Sequence, residues 1–226
     1  MIARDSGMGS SRTGQASPSS TERRERNAPA TRQRILDSAE REFATLGFAG
    51  ARLRVVADAA GVQTALIHHY FVDKQGLYRA VLDRALVEAG DLSWNLLERR
   101  TDLEGLVAGF VDILVDFYSV HANLLQILRH EALSGNAIAG PVLRERMKPI
   151  FDAVRTLIEA RQASGDLRSD IPADEMMLAT ISMAVHPLAE EAFLQNVLPS
   201  CSAAREGAMA RRKRAITTIV LQGLRR

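Results

Sequence analysis

From about Thr31 onward, apolar side chains recur at three- and four-residue intervals, and no period-two alternation bounded by turn residues interrupts them. That pattern predicts an all-α chain. Ile35, Ala39, Phe43 and Leu46 form one stripe, placed to pack on Leu53, Val56, Leu66 and Ile67 as a compact three-helix head. Gly47 and Gly50 bracket the end of the first helix. Later punctuation falls at Asp102, Ser134-Gly135-Asn136, Gly140-Pro141, Ser164-Gly165-Asp166, Ile171-Pro172 and Pro199 to Ser202. It separates helices at roughly 74–97, 102–119, 121–133, 141–164, 172–197 and 203–224.

Residues 53–78 have the small and apolar positions that a helix-turn-helix reading head requires. Ala57 and Gly61 lie four residues apart, so a first helix can carry Ala where a second crosses it and end on a glycine able to take positive φ. Such a turn is expected to leave little room for a larger side chain. Val56, Ala60, Val62, Ile67 and Tyr70 supply contacts between the two helices, while Gln63, Thr64, Ala65, His68 and His69 remain to face outward as a groove-reading surface. A plain amphipathic hairpin, with Gly61 only a cap, would use the same spacing. The surroundings of the motif favour DNA: an amphipathic helix before it, a polar and aromatic second helix, and Asp73-Lys74 opening a third. Asp73 is placed to N-cap that helix, although Gly76 at the third position denies it a capping box, and Lys74 can approach a phosphate at the helix start.

Residues 31–80 resemble the DNA-binding domain of the TetR family of bacterial transcriptional regulators. Ile35-Leu36, Ala39, Phe43 and Leu46-Gly47-Phe48 resemble its first helix, and Val56-Ala57 and Ala60-Gly61-Val62 its second. Ala65-Leu66-Ile67, Phe71, Lys74 and Leu77-Tyr78 resemble its third helix and the residues after it. Two positions depart from the family pattern. Ala51 and Arg52 stand where Thr or Ser usually opens the second helix, so a hydroxyl cap and phosphate donor is missing and Arg52 is left to meet a phosphate by charge. The order His68, His69, Tyr70 also replaces the usual Tyr, any residue, His, although both residue types can donate to phosphate. The resemblance implies a helix-turn-helix head on a larger C-terminal helical domain that binds a small molecule and dimerises through its last two helices. It also implies a repressor that occupies double-stranded operator DNA and leaves when an effector binds.

Composition sharpens this picture. The 226 residues are 46% hydrophobic, enough for one small and one larger domain, read as a disordered basic tail (1–27), the head (28–73) and the effector and dimerisation domain (74–226). The tail is rich in Ser, Gly and Arg, and Arg23, Arg24 and Arg26 could follow a DNA groove or simply be solvated. Net charge is only +2, so attraction to DNA must come from a local patch. The one cysteine, Cys201, excludes an intramolecular disulfide framework and fits a reducing cytoplasm. An apolar leader segment is absent at the N-terminus, and no run approaches the ~18 apolar residues of a membrane span.

Nothing in the larger domain calls for a metal, a cofactor or catalysis. His121 and His130, nine residues apart, would point about 180° apart on one continuous helix. No phosphate loop, nucleophile elbow or paired-carboxylate constellation stands out. Soft and aromatic side chains between helices can instead leave a cavity for an apolar or amphipathic effector, with Phe117, His121, Arg129, Met147, Phe151, Met183 and His186 as candidate lining. Pro187 removes the amide that would bond the carbonyl of Met183 and should kink its helix. The segment 176–198 is apolar nearly all round and must be covered on more than one side. Ile181, Leu188 and Phe193, with Ile216 and Val220 of the last helix, are therefore the expected interface with a second copy. The run Arg211 to Arg214 reads as a solvated face.

Overall fold

The computed structural model describes residues 20–135, 137–202 and 206–224, with side chains from residue 28. Among these residues every regular element is helical: α1 (Ser20–Gly50), α2 (Leu53–Ala60), α3 (Thr64–Phe71), α4 (Lys74–Arg99), α5 (Leu103–Val120), α6 (Ala122–Leu133), α7 (Ala139–Ser164), α8 (Ala173–Ala189), α9 (Glu191–Val197) and α10 (Ala208–Leu224), with a 3₁₀ turn at Pro199–Cys201. The all-α expectation holds.

Three boundaries differ from those read in the sequence. Of the expected disordered tail, residues 1–19 lie outside the described residues, but 20–27 carry helical backbone and extend α1. Glu and Arg are good helix formers, which suits continuation of the helix. Arg23, Arg24 and Arg26 lie where side chains are not described. The helix expected over 172–197 is divided at Glu190 (φ −110°, ψ 31°), three residues after Pro187. The last helix starts at Ala208 rather than 203, and residues 203–205 are outside the described residues.

The head is not a separate globule. One apolar core runs from Ile35, Phe43, Val56 and Ile67 through Leu77, Tyr78 and Leu82 of α4 to Leu124 and Ile127 of α6 and Val142 of α7, crossing the 73/74 boundary without a break. Polar contacts reinforce that seam. Arg84 of α4 donates to Asp37 at 2.6 Å and to Glu40, and Asn123 of α6 donates to Glu40 at 3.3 Å. At Gly47 the backbone leaves the helix with φ 66°, and a Cβ there would lie 3.1 Å from the His130 ring, whose Nε2 is 3.2 Å from the Ala44 carbonyl. The backbone conformation therefore favours glycine, and any Cβ would also have to push the His130 ring back slightly.

Glu131 is buried at the same junction. It accepts from the Tyr78 hydroxyl (3.1 Å) and from the backbone N–H groups of Ile138 (3.2 Å) and Ala139 (2.9 Å), so a carboxylate of α6 caps α7 while tying both to α4. A second core, with Val111 and Val115 of α5, Leu167 of the α7–α8 loop, Met176 and Ala184 of α8, and Ile216, Val220 and Leu224 of α10, lies at the far end. Lys213 reaches Asp116 (2.6 Å) and Asp112 (3.3 Å), so one member of the basic run docks α10 on α5 rather than facing solvent.

Candidate nucleic-acid interface and effector cavity

The turn between α2 and α3 closes as a two-bond cap: the Gly61 N–H donates to Asp58 (3.2 Å) and the Val62 N–H to Ala57 (3.0 Å). Gly61 has φ 65°, yet a Cβ there would meet nothing within 4 Å. The expectation of a crowded turn is corrected, since backbone sign alone selects glycine. Val56, Ala60 and Ile67 are buried, and Val62 and Tyr70 pack against them, as the spacing predicted. Gln63 at the N-cap and Ala65, His68 and His69 on α3 are exposed and Thr64 is half-exposed, so the structure brings the expected outward residues together. The Nδ1–H of His68 donates to the Val72 carbonyl (2.9 Å), which turns Nε2 outward. Tyr70 is half-buried, its hydroxyl 3.5 Å from the Ala28 carbonyl.

The flanking positions are arranged differently from one another. Arg52 is exposed at the start of α2, which has no side-chain cap; its own N–H donates to Glu42 at 3.1 Å. Lys74 donates to the Ala49 carbonyl at 3.3 Å and sits 4.9 Å over the Phe48 ring, so its ammonium also closes the end of α1. Asp73 caps α4 through the Gly76 N–H at 2.7 Å.

Between the two cores lies a cavity of about 540 Å³, walled by α4 (Leu86, Ala89, Ser93), α5 (Phe110, Phe117, Tyr118), α7 (Leu143, Met147, Phe151) and α8 (Met177, Ile181). Of the expected lining residues, Phe117, Met147 and Phe151 are there; four are not. His121 sits at the α5–α6 corner, its ring 4.3 Å from that of Phe117 and its Nε2 3.3 Å from Glu88. Arg129 pairs with Glu190 at 3.3 Å, Met183 packs on the second core, and His186 is exposed. Ile181, expected at an interface, lines the cavity instead. The sequence reading missed Ser93, Tyr118, Arg144, Lys148 and Arg155, although the last three share one face of α7 at intervals of four and seven residues.

The expected dimer surface is also redrawn. Ile216 and Val220 are buried in their own subunit, while Leu188 is half-buried. Phe193 is 58% exposed, and Leu178 (59%) and Ile219 (56%) join it on the outer faces of α8 to α10. Ile216, Val220 and Leu224 form the inner row of α10 at four-residue spacing, which leaves Ile219 outward.

A short capped turn presenting a second helix outward, on a body with its own cavity, defines a helix-turn-helix DNA-binding regulator. Residues 35–81 match the bacterial regulatory proteins of the tetR family, and residues 104–220 match the tetracyclin repressor-like C-terminal domain. The chain belongs to the TetR family of transcriptional regulators. It is 30% identical over 159 residues to the HTH-type transcriptional repressor SCO4008 of Streptomyces coelicolor, covering 70% of this chain and 79% of that one. The HTH-type transcriptional repressor NicS of Pseudomonas putida is 28% identical over 205 residues, 90% of this chain and 96% of NicS. The fold is similar to that of the regulator FadR of Bacillus subtilis, solved in complex with stearoyl-CoA, with TM-score 0.67, 12% identity, and coverage of 85% of this chain and 98% of FadR. Among the described residues no helix is long and apolar enough to cross a membrane.

Proposed function

We propose that the protein is a homodimeric repressor that leaves its operator when a small amphipathic molecule enters the cavity between the two cores. The cavity carries this reading: it is walled by α4, whose first residue comes shortly after the end of the reading helix, so a change there is transmitted to the head. The relatives SCO4008 and NicS are named repressors, and the FadR structure holds an acyl-CoA, which supports both halves of the reading. Gln63, Thr64, Ala65 and His69 face base edges, while Arg52, His68, Tyr70 and Lys74 hold phosphates from either side. The outer faces of α8 to α10, with Leu178, Phe193 and Ile219, meet a second copy, so that two heads read the halves of a palindrome.

The ligand must prefer the head spacing that cannot span two half-sites, because equal affinity for both states shifts nothing. Linkage then requires operator DNA to weaken ligand binding by the same factor by which ligand weakens operator binding. The test is sequencing of genomic fragments retained by the full chain, followed by titration of the recovered site. Gln63→Ala and Thr64→Ala should change which bases are preferred. Lys74→Ala should weaken binding to all sequences and lower the salt slope by about one per half-site. A recovered site whose affinity no cavity ligand alters would leave a DNA-binding protein without an effector and refute the switching half.

A further inference from the structure

Building on the reading of this cavity as the effector site, we propose that its ligand is an amphipathic anion. An apolar body lies among Leu86, Phe117, Met147 and Phe151, and a carboxylate or phosphate head is held at the rim by Arg144 and Lys148. The lining carries three cations, Arg144, Lys148 and Arg155, and no carboxylate. Residues 144, 148 and 155 run along one face of α7, with Phe151 between them pointing to the same void, so the helix presents charge at the mouth and rings within.

The three cations are not equally occupied. Lys148 is paired with Asp152, and Arg155 with Asp174 (2.7 Å) and Asp152 (3.3 Å). Arg144 has no hydrogen-bond or ion-pair partner among the described residues. A neutral apolar ligand would leave that charge unused, and a cationic one would meet the unpaired Arg144, the other two cations being held by Asp152 and Asp174. Deeper in, Tyr118 lines the wall, and burial pushes its phenol above the ordinary value, keeping it a neutral donor. Phe110, Val154 and Met177 separate the cavity from a second chamber of about 90 Å³ lined by Leu96, Leu106, Leu157 and Val220. Those three shared side chains include a methionine, a flexible residue that can yield to the far end of an alkyl chain.

Calorimetry with the full chain below micellar concentrations distinguishes the alternatives, using dodecanoate, dodecanol, dodecyltrimethylammonium and dodecanoyl-coenzyme A. Dodecanoate should bind roughly tenfold more tightly than dodecanol, the size of one charge-assisted hydrogen bond to an otherwise unpaired guanidinium. Arg144→Gln, at an exposed position without partners, should fold normally and abolish that preference. If the thioester binds more tightly than dodecanoate with the same Arg144 dependence, the head is a phosphate; the reverse order makes it a carboxylate. Equal affinity for dodecanol, tighter binding of the ammonium, or an anion preference surviving in Arg144→Gln each overturns the proposal. Should dodecanol bind and release operator without any anion preference, only the ligand class falls. Should no chain bind, charged or neutral, the effector reading falls with it.

Discussion

The two apolar cores differ in what surrounds them. The first joins the head to α4, α6 and the start of α7, and Tyr78, Phe43, Ile35 and Ile67 within it are completely shielded from solvent. The second, built on α5, α8 and α10, borders the smaller chamber through Leu167, Met176, Val220 and Leu224. The 540 Å³ cavity is bordered by Leu86, Ala89 and Phe117 of the first core and, through Leu114, by a side chain packed on the second. Native interiors hold few voids larger than a water molecule, so a void of that size marks a place where packing has been given up for something else. The filled core makes the head and its footing on α6 one body. The ligand and second copy proposed above would act on the spacing of two heads through the hollow seam rather than through the filled core.

The largest expected effect tests that contrast directly. Ile67→Ala removes fully shielded methyl groups from the filled core and should cost about 2–5 kcal/mol. Met147→Ala truncates a half-buried side chain that already borders the cavity, and should cost about 1 kcal/mol or less. Urea denaturation of both variants checks the difference. Equal costs would mean that the cavity wall is packed as firmly as the head, and the contrast would be lost.

Next in size is the junction. Glu131→Ala strands the Tyr78 hydroxyl and two backbone N–H groups at the start of α7, at a cost of roughly 3 kcal/mol. Tyr78→Phe removes one of those contacts and should cost about 1 kcal/mol. The pair also predicts a pH dependence. Burial, and then the Glu131 charge and hydrogen bond, push the Tyr78 phenol above its ordinary value. The folded state therefore favours the neutral phenol. Its contribution is complete below the unfolded value of about 10 and declines as pH rises beyond it. Tyr78→Phe should flatten that alkaline loss in pH-dependent melts, and an unchanged slope would show that the junction does not titrate through this residue.

Legibility in the sequence divides along the same line. The head depends on contacts close in sequence, so the Ala57–Gly61 spacing and the stripe Ile35, Ala39 and Phe43 located its turn, its core and its outward residues. Two points differed: Leu46, expected on the inward stripe, is 49% exposed because the backbone leaves the helix at Gly47, and the reason for Gly61 is backbone sign alone. The larger domain depends on which side of each helix faces inward. Phe117, Met147 and Phe151 were recoverable because aromatic and methionine side chains between helices tend to border such sites. His121 was not, because a residue at a helix corner points along neither helix face. Ile216 and Val220 were assigned to the same surface as the outward residues, yet their four-residue spacing to Leu224 marks a row distinct from Ile219. Glu131 carried no periodic signal at all, since its three partners come from 53 residues earlier and from seven and eight later.

The smallest effect concerns the joint where the reading helix meets α4. Val72 has φ 68° and ψ −59°, and the Asp73 N–H donates to the Phe71 carbonyl at 2.8 Å, the geometry of a γ-turn that is strained for any side chain and more so for a β-branched one. No packing compensates, because Val72 is 78% exposed. What holds it is His68, whose carbonyl accepts from the Val72 N–H (3.0 Å) and whose Nδ1–H donates to the Val72 carbonyl. A residue on the outward face of the reading helix thus fixes the angle at which that helix leaves for α4. Val72→Gly relieves the strain and should raise stability by about 1 kcal/mol, against a partial offset from the added freedom of the unfolded chain. It should also weaken operator binding, because a glycine no longer confines the joint to one geometry. Denaturation and operator titration on the same variant separate the two effects. A less stable Val72→Gly would show that the turn is not strained, and unchanged operator affinity would show that His68 alone sets the angle of the reading helix.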